Sequence, residues 1–168
     1  MSISFVKRLY KFGNIKSIIL EFLNLCAKDD MTEELITVSE HTILHEVKRI
    51  FDKNNIHHIP VIKDDMTLVG IISSCDLKLM MDWGTKFELE RSDFINEQIL
   101  HSQNATAICS KDLFTVSPET AISFCYEIFK TKNIRALPVV NKEFHIEGIV
   151  TPLDLVKALL KISFVSPL

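Results

Sequence analysis

The stretch that decides the fold occurs twice, as Gly70–Leu77, GIISSCDL, and 78 residues later as Gly148–Leu155, GIVTPLDL. In both copies a glycine and a short apolar run lead to a hydroxyl residue, and an aspartate follows three positions later. This spacing of hydroxyl and carboxylate is typical of a helix N-terminus, where both groups accept hydrogen bonds from unpaired backbone amides. Capping alone would explain each motif, but two copies indicate an internal repeat.

The repeat extends well beyond these eight residues. Residues 37–81 align without a gap to residues 115–159, and fourteen of the 45 aligned pairs are identical. The copies begin TVSEHTILHEVKRIF and TVSPETAISFCYEIF, and both place apolar residues along one face of a helix. An ungapped register that keeps this apolar stripe while the polar positions change indicates two structural repeats.

Each copy predicts the element order β-α-β-β-α. A short strand, ELITV or DLFTV, precedes a helix of about a dozen residues, for which Ser39 and Ser117 are predicted N-caps and Pro118 the first helical residue. The segments HHIPVI with LVGII, and RALPVV with IEGIV, predict two strands in hairpin order. A second helix then begins at Ser73 or Thr151.

The positions of proline and glycine add detail to the predicted strands. Pro60 and Pro138 cannot donate to a ladder, so we expect them at a sheet edge or a strand end. Gly70 and Gly148 within strands predict a bulge or the close approach of another backbone.

Two three-stranded sheets of this size cannot each bury both faces. We therefore predict an α/β (α+β) fold in which the repeats form a pseudo-twofold pair with their sheets face to face, a cleft at each edge of the contact, and an additional helical arm. The predicted domains are an N-terminal helical arm, the first repeat, a connecting segment, the second repeat and a C-terminal tail: 1–30, 31–82, 83–104, 105–160 and 161–168.

Composition excludes several classes. The 168 residues are 47% hydrophobic and 24% charged, with a net charge of −3 and a pI of about 6.1, which argues against a nucleic-acid partner or an anionic membrane surface. No apolar run is long enough for a signal peptide or a membrane span, although the first twenty residues are basic. Four cysteines without a CxxC pair favour a reducing compartment, so we predict a cytoplasmic protein.

The sequence gives little support for a catalytic site or a metal site. The chain has no phosphate loop, HExxH or Gly-x-Ser-x-Gly motif, so we expect a protein that is not an enzyme. His41 and His45 have the i, i+4 spacing of metal ligands, but they lie opposite the apolar stripe and the second copy does not repeat them. We interpret them as a solvated face and predict no metal site, and His101 has no partner visible in sequence.

The repeated segments NIHHIPVI (residues 55–62) and NIRALPVV (residues 133–140), each followed by a Gly-Ile and Ser/Thr-x-x-Asp-Leu motif, resemble a tandem pair of cystathionine-beta-synthase (CBS) domains, also called a Bateman module. The resemblance covers about residues 31–160. It implies that each cleft combines the hydroxyl-aspartate motif of one copy with the strand leader of the other. It also implies that the aspartate holds a ribose, that the hydroxyl and basic residues lie near phosphate, and that apolar residues enclose adenine.

Carried over residue by residue, the resemblance predicts two sites. One would use Ser73, Asp76, His57, His58, Cys109, Phe114 and Ile134, and its mate Thr151, Asp154, Arg135, Met31, Ile36 and Ile56. Phe114 either stacks on a base or fills the core. The first site depends on histidines that are mostly neutral at pH 7, whereas the second has Arg135, so we rank the Asp154 site above the Asp76 site for phosphate.

The resemblance implies a stand-alone regulatory module that senses an adenosyl ligand and signals to a separate, unknown effector protein. The predicted ligand is AMP, ADP or ATP, with S-adenosylmethionine as a further candidate, and no cofactor is required. We also expect a homodimer. The alternative is a structural or interaction module, used for oligomerisation or partner docking, whose clefts are degenerate.

Overall fold

The computed structural model describes residues 15–85 and 89–165 of the chain. Its helices are α1 Ile15–Asn24, α2 Ala27–Asp30, α3 Leu44–Lys53, α4 Ser74–Thr85, α5 Leu89–Ser102, α6 Ile122–Lys132 and α7 Pro152–Val165. Its strands are β1 Val38–Ser39, β2 His58–Ile62, β3 Leu68–Ser73, β4 Leu137–Val140 and β5 Ile146–Val150. Parts of the predicted arm, connecting segment and tail, residues 1–14, 86–88 and 166–168, lie outside the described residues.

The two sheets confirm the mixed α/β class. In the first repeat β1 pairs parallel with β2, and β2 pairs antiparallel with β3. In the second repeat β4 pairs antiparallel with β5, and a parallel bridge between Val116 and Val139 stands where β1 stands in the first. The leading strand predicted for each repeat is therefore shorter than expected.

Three apolar clusters hold the fold together. The first repeat has its own core, in which the buried stripe of α3, Leu44 and Val47, packs beneath the sheet. The second repeat has an equivalent core around α6 and α7. A third cluster, formed by Leu68, Val140, Ile146 and Ile149, lies between the two sheets and confirms that they pack against each other.

The hairpin turns also join the repeats. Met66 and Phe144 occupy equivalent positions and both have left-handed backbones, with φ of 68° and 65°. The backbone N–H of Leu68 donates to the Phe144 carbonyl at 3.1 Å, and that of Ile146 donates to the Met66 carbonyl at 3.3 Å. Each turn thus pairs with its own counterpart, as a pseudo-twofold axis requires.

Both strand glycines lie against another backbone, as predicted. A Cβ atom on Gly70 would lie 2.8 Å from the Sγ of Cys109 and 2.8 Å from the carbonyl oxygen of Ser110. A Cβ on Gly148 would lie 2.5 Å from the Sδ of Met31 and 3.1 Å from the carbonyl oxygen of Thr32. A bulge also occurs in each hairpin, because the register shifts opposite both glycines.

The N-cap prediction for Ser39 is wrong. The helix α3 begins at Leu44, and Ser39 ends β1 in a turn where its carbonyl accepts from the N–H of Thr42 at 3.0 Å. The residue before the helix, Ile43, is extended because it forms an antiparallel bridge with Asn104. Because Ile43 pairs with a residue about sixty positions away, the helix begins later in the chain than the sequence predicts.

Ser117 and Pro118 were misplaced for the same reason. The helix α6 begins at Ile122, after the extended residue Ala121, which bridges Cys26. Ser117 and Pro118 lie in the preceding turn. In contrast, Pro152 is the first residue of α7, because Thr151 caps that helix locally.

Pro60 lies in the middle of the central strand β2, which contradicts the expected edge or strand end. The strand tolerates it because β1 reaches only Val61 and Ile62, so no β1 residue pairs with Pro60. In the second repeat Pro138 also lies within a strand, β4. Its carbonyl accepts from the N–H of Val116 at 3.1 Å, so the segment around Val116 runs beside β4 as β1 runs beside β2.

The helices α1 and α5 occupy equivalent positions and cross between the repeats. α1 precedes the first repeat but packs against α6 and α7 of the second, while α5 precedes the second and packs against α3 and α4 of the first. Matching hydrogen bonds fix both crossings, since Ala27 N–H donates to Thr120 and Ala105 N–H donates to Thr42, each at 2.8 Å. None of the described helices combines the length and apolarity needed to cross a membrane.

Candidate functional site

A cavity of about 1280 Å³ lies between the repeats, bounded by both sheets and by the N-termini of α4 and α7. It brings together eleven of the thirteen predicted site residues: Ile36, Ile56, His57, His58, Ser73, Asp76, Phe114, Ile134, Arg135, Thr151 and Asp154. The predicted pair of clefts is therefore one continuous space with a hydroxyl-aspartate motif from each repeat.

Met31 and Cys109, the other two predicted residues, do not line this cavity. Their side chains pack onto Gly148 and Gly70 and against the core of the repeat that each one contacts. Burial raises the pKa of the Cys109 thiol, and nearby Lys111 only partly offsets this. Both residues thus position the backbone beside the cavity.

The chain crosses between the repeats at these two residues. We call residues 31–37 the first leader and residues 109–115 the second leader. Thr32 and Ile149 exchange backbone hydrogen bonds of 2.9 and 3.0 Å, and Ser110 and Ile71 exchange bonds of 2.9 and 3.1 Å. Each leader therefore lies beside the last strand of the other repeat, so both repeats contribute residues to each end of the cavity.

At the first motif, Ser73 caps α4 and Asp76 closes the cap. The Oδ2 of Asp76 accepts from the backbone N–H of Ser73 at 2.8 Å and from its hydroxyl at 2.7 Å, and the Asp76 N–H points back to Ser73 Oγ at 3.2 Å. The carboxylate is half-buried, and its other oxygen, Oδ1, has no hydrogen-bond partner among the described residues. This oxygen can accept from a ligand in the cavity.

The second motif shares the bonds to Oδ2, but the Asp154 N–H donates to the carbonyl of Thr151, at 3.0 Å, and the carboxylate differs. Thr151 donates its N–H at 2.8 Å and its hydroxyl at 2.7 Å to Oδ2 of Asp154. Here the Nζ of Lys157, one turn along α7, donates to Oδ1 at 3.0 Å, and the carboxylate is only 3% exposed. Both oxygens of Asp154 are therefore occupied by the protein.

Lys157 lines the cavity but was missed from the sequence, as was Lys78. The signal for Lys157 was present, because a lysine three residues after an aspartate on a helix lies within ion-pair reach. The equivalent position in the first repeat is Leu79, which has no such donor. This one difference separates the two otherwise matching motifs.

Besides Lys78 and Lys157, the described residues that line the cavity include three basic side chains near the strands. His57 and His58 precede and begin β2, and Arg135 is the second-repeat counterpart of His57. Burial lowers the pKa of His58, the positive charges of His57 and Arg135 lower it further, and the Asp76 carboxylate partly opposes them. Because Arg135 and the two histidines come from different repeats and line one cavity, that cavity suits an anionic group such as phosphate.

Apolar side chains complete the walls. Ile36 and its counterpart Phe114 lie one residue before the end of each leader, and both are partly exposed, at 37% and 41%. Ile56 and Ile134 precede β2 and β4. Phe114 also carries the ammonium of Lys132 at 4.9 Å from its ring centre, so it is not a core residue. These surfaces can enclose a flat, apolar ring.

Residues 27–81 and 105–161 each match the family model of the CBS domain. A CBS domain-containing protein of Dictyostelium discoideum is 27% identical over 140 residues, which cover 83% of this chain and 94% of that protein. The homoserine O-acetyltransferase of Methanohalobium evestigatum is 27% identical over 148 residues. This match covers 88% of the chain, but the chain spans only about a quarter of the transferase, 27% of its length.

Solved structures show the same architecture. CBSX2, a CBS-pair protein of Arabidopsis thaliana solved in complex with AMP, is 25% identical with a TM-score of 0.67, and the match covers 82% of this chain and 97% of that one. Its fold agrees with the paired repeats seen here. Because the two family matches together cover more than half of the chain, the protein belongs to the CBS domain family and carries two CBS domains in tandem.

Proposed function

We propose that the cavity binds an adenosyl ligand, with AMP as the first candidate, and that the Asp76 end is the stronger site. The observation that carries this proposal is the contrast between the two carboxylates. Asp76 keeps Oδ1 for a ribose hydroxyl, whereas Lys157 already donates to Oδ1 of Asp154. An oxygen that already accepts from an ammonium, in a carboxylate that is only 3% exposed, is a poorer acceptor for a sugar hydroxyl than an oxygen with no donor.

This order reverses the ranking predicted from sequence, which rested on Arg135. In the folded chain Arg135 lines the same cavity as His57 and His58, so its charge is available to the first-repeat side as well. A phosphate there would meet His57, His58 and the permanent guanidinium of Arg135. The second site therefore loses the advantage that sequence reasoning assigned to it.

The adenine ring requires an apolar slot beside the ribose. The second leader runs next to β3 and carries Phe114, so the Asp76 end can use Phe114 and Ile134 from the second repeat. The AMP complex of CBSX2 supports the choice of ligand, since that protein shares 25% identity and the paired fold. ADP, ATP and S-adenosylmethionine remain candidates for the same cavity.

A ligand at this position would contact both repeats and favour one relative geometry of the pair. The size of that shift is set by the difference in affinity between the two geometries. The module then acts as a regulator without catalysis of its own, and it signals to a separate effector protein from the cytoplasm.

Isothermal titration with AMP tests the proposal, using the matched variants Asp76→Asn and Asp154→Asn. We expect wild type to bind AMP, Asp76→Asn to lose at least about tenfold in affinity, and Asp154→Asn to lose less than about threefold, since one ribose hydrogen bond to a carboxylate is worth about 1.5–3 kcal/mol. Circular dichroism confirms that each variant folds. Equal losses in both variants, or no AMP binding by wild type, would overturn the assignment.

The interaction module remains the second candidate because α7 carries an exposed apolar stripe. Leu153, Val156 and Leu160 lie at i, i+3 and i+7 and are 61%, 52% and 46% exposed. A homodimer would bury this stripe.

Light scattering tests whether the chain forms such a dimer. The experiment compares wild type with the double variant Val156→Glu/Leu160→Glu, and Lys142→Glu on an exposed turn is the control. Dimers that dissociate only in the double variant support the role, and a monomeric wild type contradicts it.

A further inference from the structure

We infer that His45, Glu97 and His101 form a binding site for a divalent transition-metal ion, with Zn²⁺ the best match. One ligand atom from each of these three side chains lies within 4.8 Å of the other two. The site is on the outer surface where α3 meets α5, and it is independent of the cavity between the repeats. Two imidazoles and one carboxylate are a ligand set that Zn²⁺ takes, with water completing the coordination.

The scaffold under these side chains is rigid. Glu97 and His101 lie one turn apart on α5, whose inward face is anchored by the fully buried Leu100. His45 lies on α3 directly after Leu44, whose N–H donates to the carbonyl of Gln103 at 2.9 Å. This backbone bond ties the start of α3 to the end of α5, so the three ligands are held close before any ion arrives.

The side chains already contact one another. The rings of His45 and His101 stack with their centres 4.4 Å apart and their planes 18° from parallel. The Nε2 of His101 lies 3.4 Å from the Oε2 of Glu97. His101 and Glu97 are more than half exposed, so the rings can turn about their side-chain torsions and direct one nitrogen each to a shared ion.

The second repeat shows that the fold does not require these groups. At the equivalent contact, where α1 meets α6, the chain places Ser123, Ile19 and Leu23 where the first contact has His45, Glu97 and His101. The same helix pair therefore packs without imidazole or carboxylate groups. Sequence reasoning paired His45 with His41, but His41 lies beside Glu40 and outside the cluster.

Thermal unfolding with and without Zn²⁺ tests the site. The experiment uses the full chain without nucleotide, in a Cys75→Ser background that removes the exposed thiol, and compares His45→Ala, His101→Ala and Glu97→Gln with the control His41→Ala. We expect Zn²⁺ to raise the melting temperature of the parent and the control equally. Each cluster variant should bind Zn²⁺ at least about tenfold more weakly in titration calorimetry, because even groups that only orient metal ligands cost 10–100-fold.

Co²⁺ absorption identifies the donors. We expect a visible spectrum without a thiolate charge-transfer band in the parent and its loss in His101→Ala. Three results would overturn the assignment: no Zn²⁺ effect on the parent, an equal effect in the cluster variants, or a thiolate band in the Co²⁺ spectrum. In any of these cases the three side chains form only a stacked, hydrogen-bonded surface group.

Discussion

The two ends of the cavity have similar helix caps but differ in the side chain one turn beyond the aspartate. Ser73–Asp76 and Thr151–Asp154 have nearly identical hydrogen bonds at their helix N-termini. One turn later the first repeat has Leu79 and the second has Lys157, which takes the remaining oxygen of Asp154. A single position therefore makes one motif available to a ligand and turns the other into a structural ion pair.

The glycines provide the largest expected difference between the repeats. In Gly70→Ala the new Cβ would meet a backbone carbonyl at 2.8 Å, whereas in Gly148→Ala its nearest atoms belong to the flexible side chain of Met31. We expect Gly70→Ala to lower the free energy of unfolding by about 3 kcal/mol and Gly148→Ala by about 1 kcal/mol. Urea denaturation measures both free energies of unfolding. Equal losses would show that the two leaders accommodate an added Cβ atom equally well.

The aspartates should differ next. Asp154→Ala removes three donated hydrogen bonds from a buried carboxylate, and we expect a loss of about 2 kcal/mol. Asp76→Ala removes a half-exposed cap and should cost about 1 kcal/mol. Urea denaturation in the absence of nucleotide separates these effects from binding. A larger loss in Asp76→Ala would contradict the assignment of Asp154 as the structural carboxylate.

Exchanging position 79 with position 157 tests the comparison most sharply. Leu79→Lys places a cation near Asp76 and should weaken AMP binding about tenfold, or about 1.4 kcal/mol. Lys157→Leu frees Oδ1 of Asp154 and should raise the AMP stoichiometry from one toward two. Titration calorimetry reads both quantities. If neither variant changes binding, the lysine does not decide which end is used.

The smallest effect concerns pH. Burial, His57 and Arg135 lower the pKa of His58 in the folded state, while the unfolded histidine keeps its value near 6.5. As the pH falls below about 6.5 the unfolded chain takes up the proton first, so the folded state loses stability until the pH passes its own, lower pKa. Wild type should therefore lose stability relative to His58→Gln between about pH 7.5 and 5.5.

Urea denaturation across this pH range measures the difference, and His41→Gln is the control because His41 is 81% exposed. We expect the control to follow wild type. A pH-independent gap between wild type and His58→Gln would show that burial of His58 does not alter its protonation.

The local signals of the sequence are enough for the repeats, and the resemblance to CBS pairs supplies eleven of the residues that line the cavity. The apolar stripe of the first helix of each repeat and the Gly-to-Asp motif depend on neighbours within one or two turns, and the structure confirms them. Ser39 and Ser117 failed as caps because extended residues that pair with distant segments precede both helices. Met31 and Cys109, which are also predicted for the ligand sites, pack onto Gly148 and Gly70 and do not line the cavity.

Periodicity and spacing along the chain predict the twofold repetition and the element order, and the resemblance to CBS pairs predicts eleven of the side chains that line the cavity. Even the pairing of Lys157 with Asp154 lies within one turn of a helix. Only the fold places Arg135 in the same cavity as His58 and brings His45 against His101. These outcomes depend on crossings of α1, α5 and the leaders between the repeats. Contacts made by such crossings leave no local pattern, because their partners are separated by tens of residues.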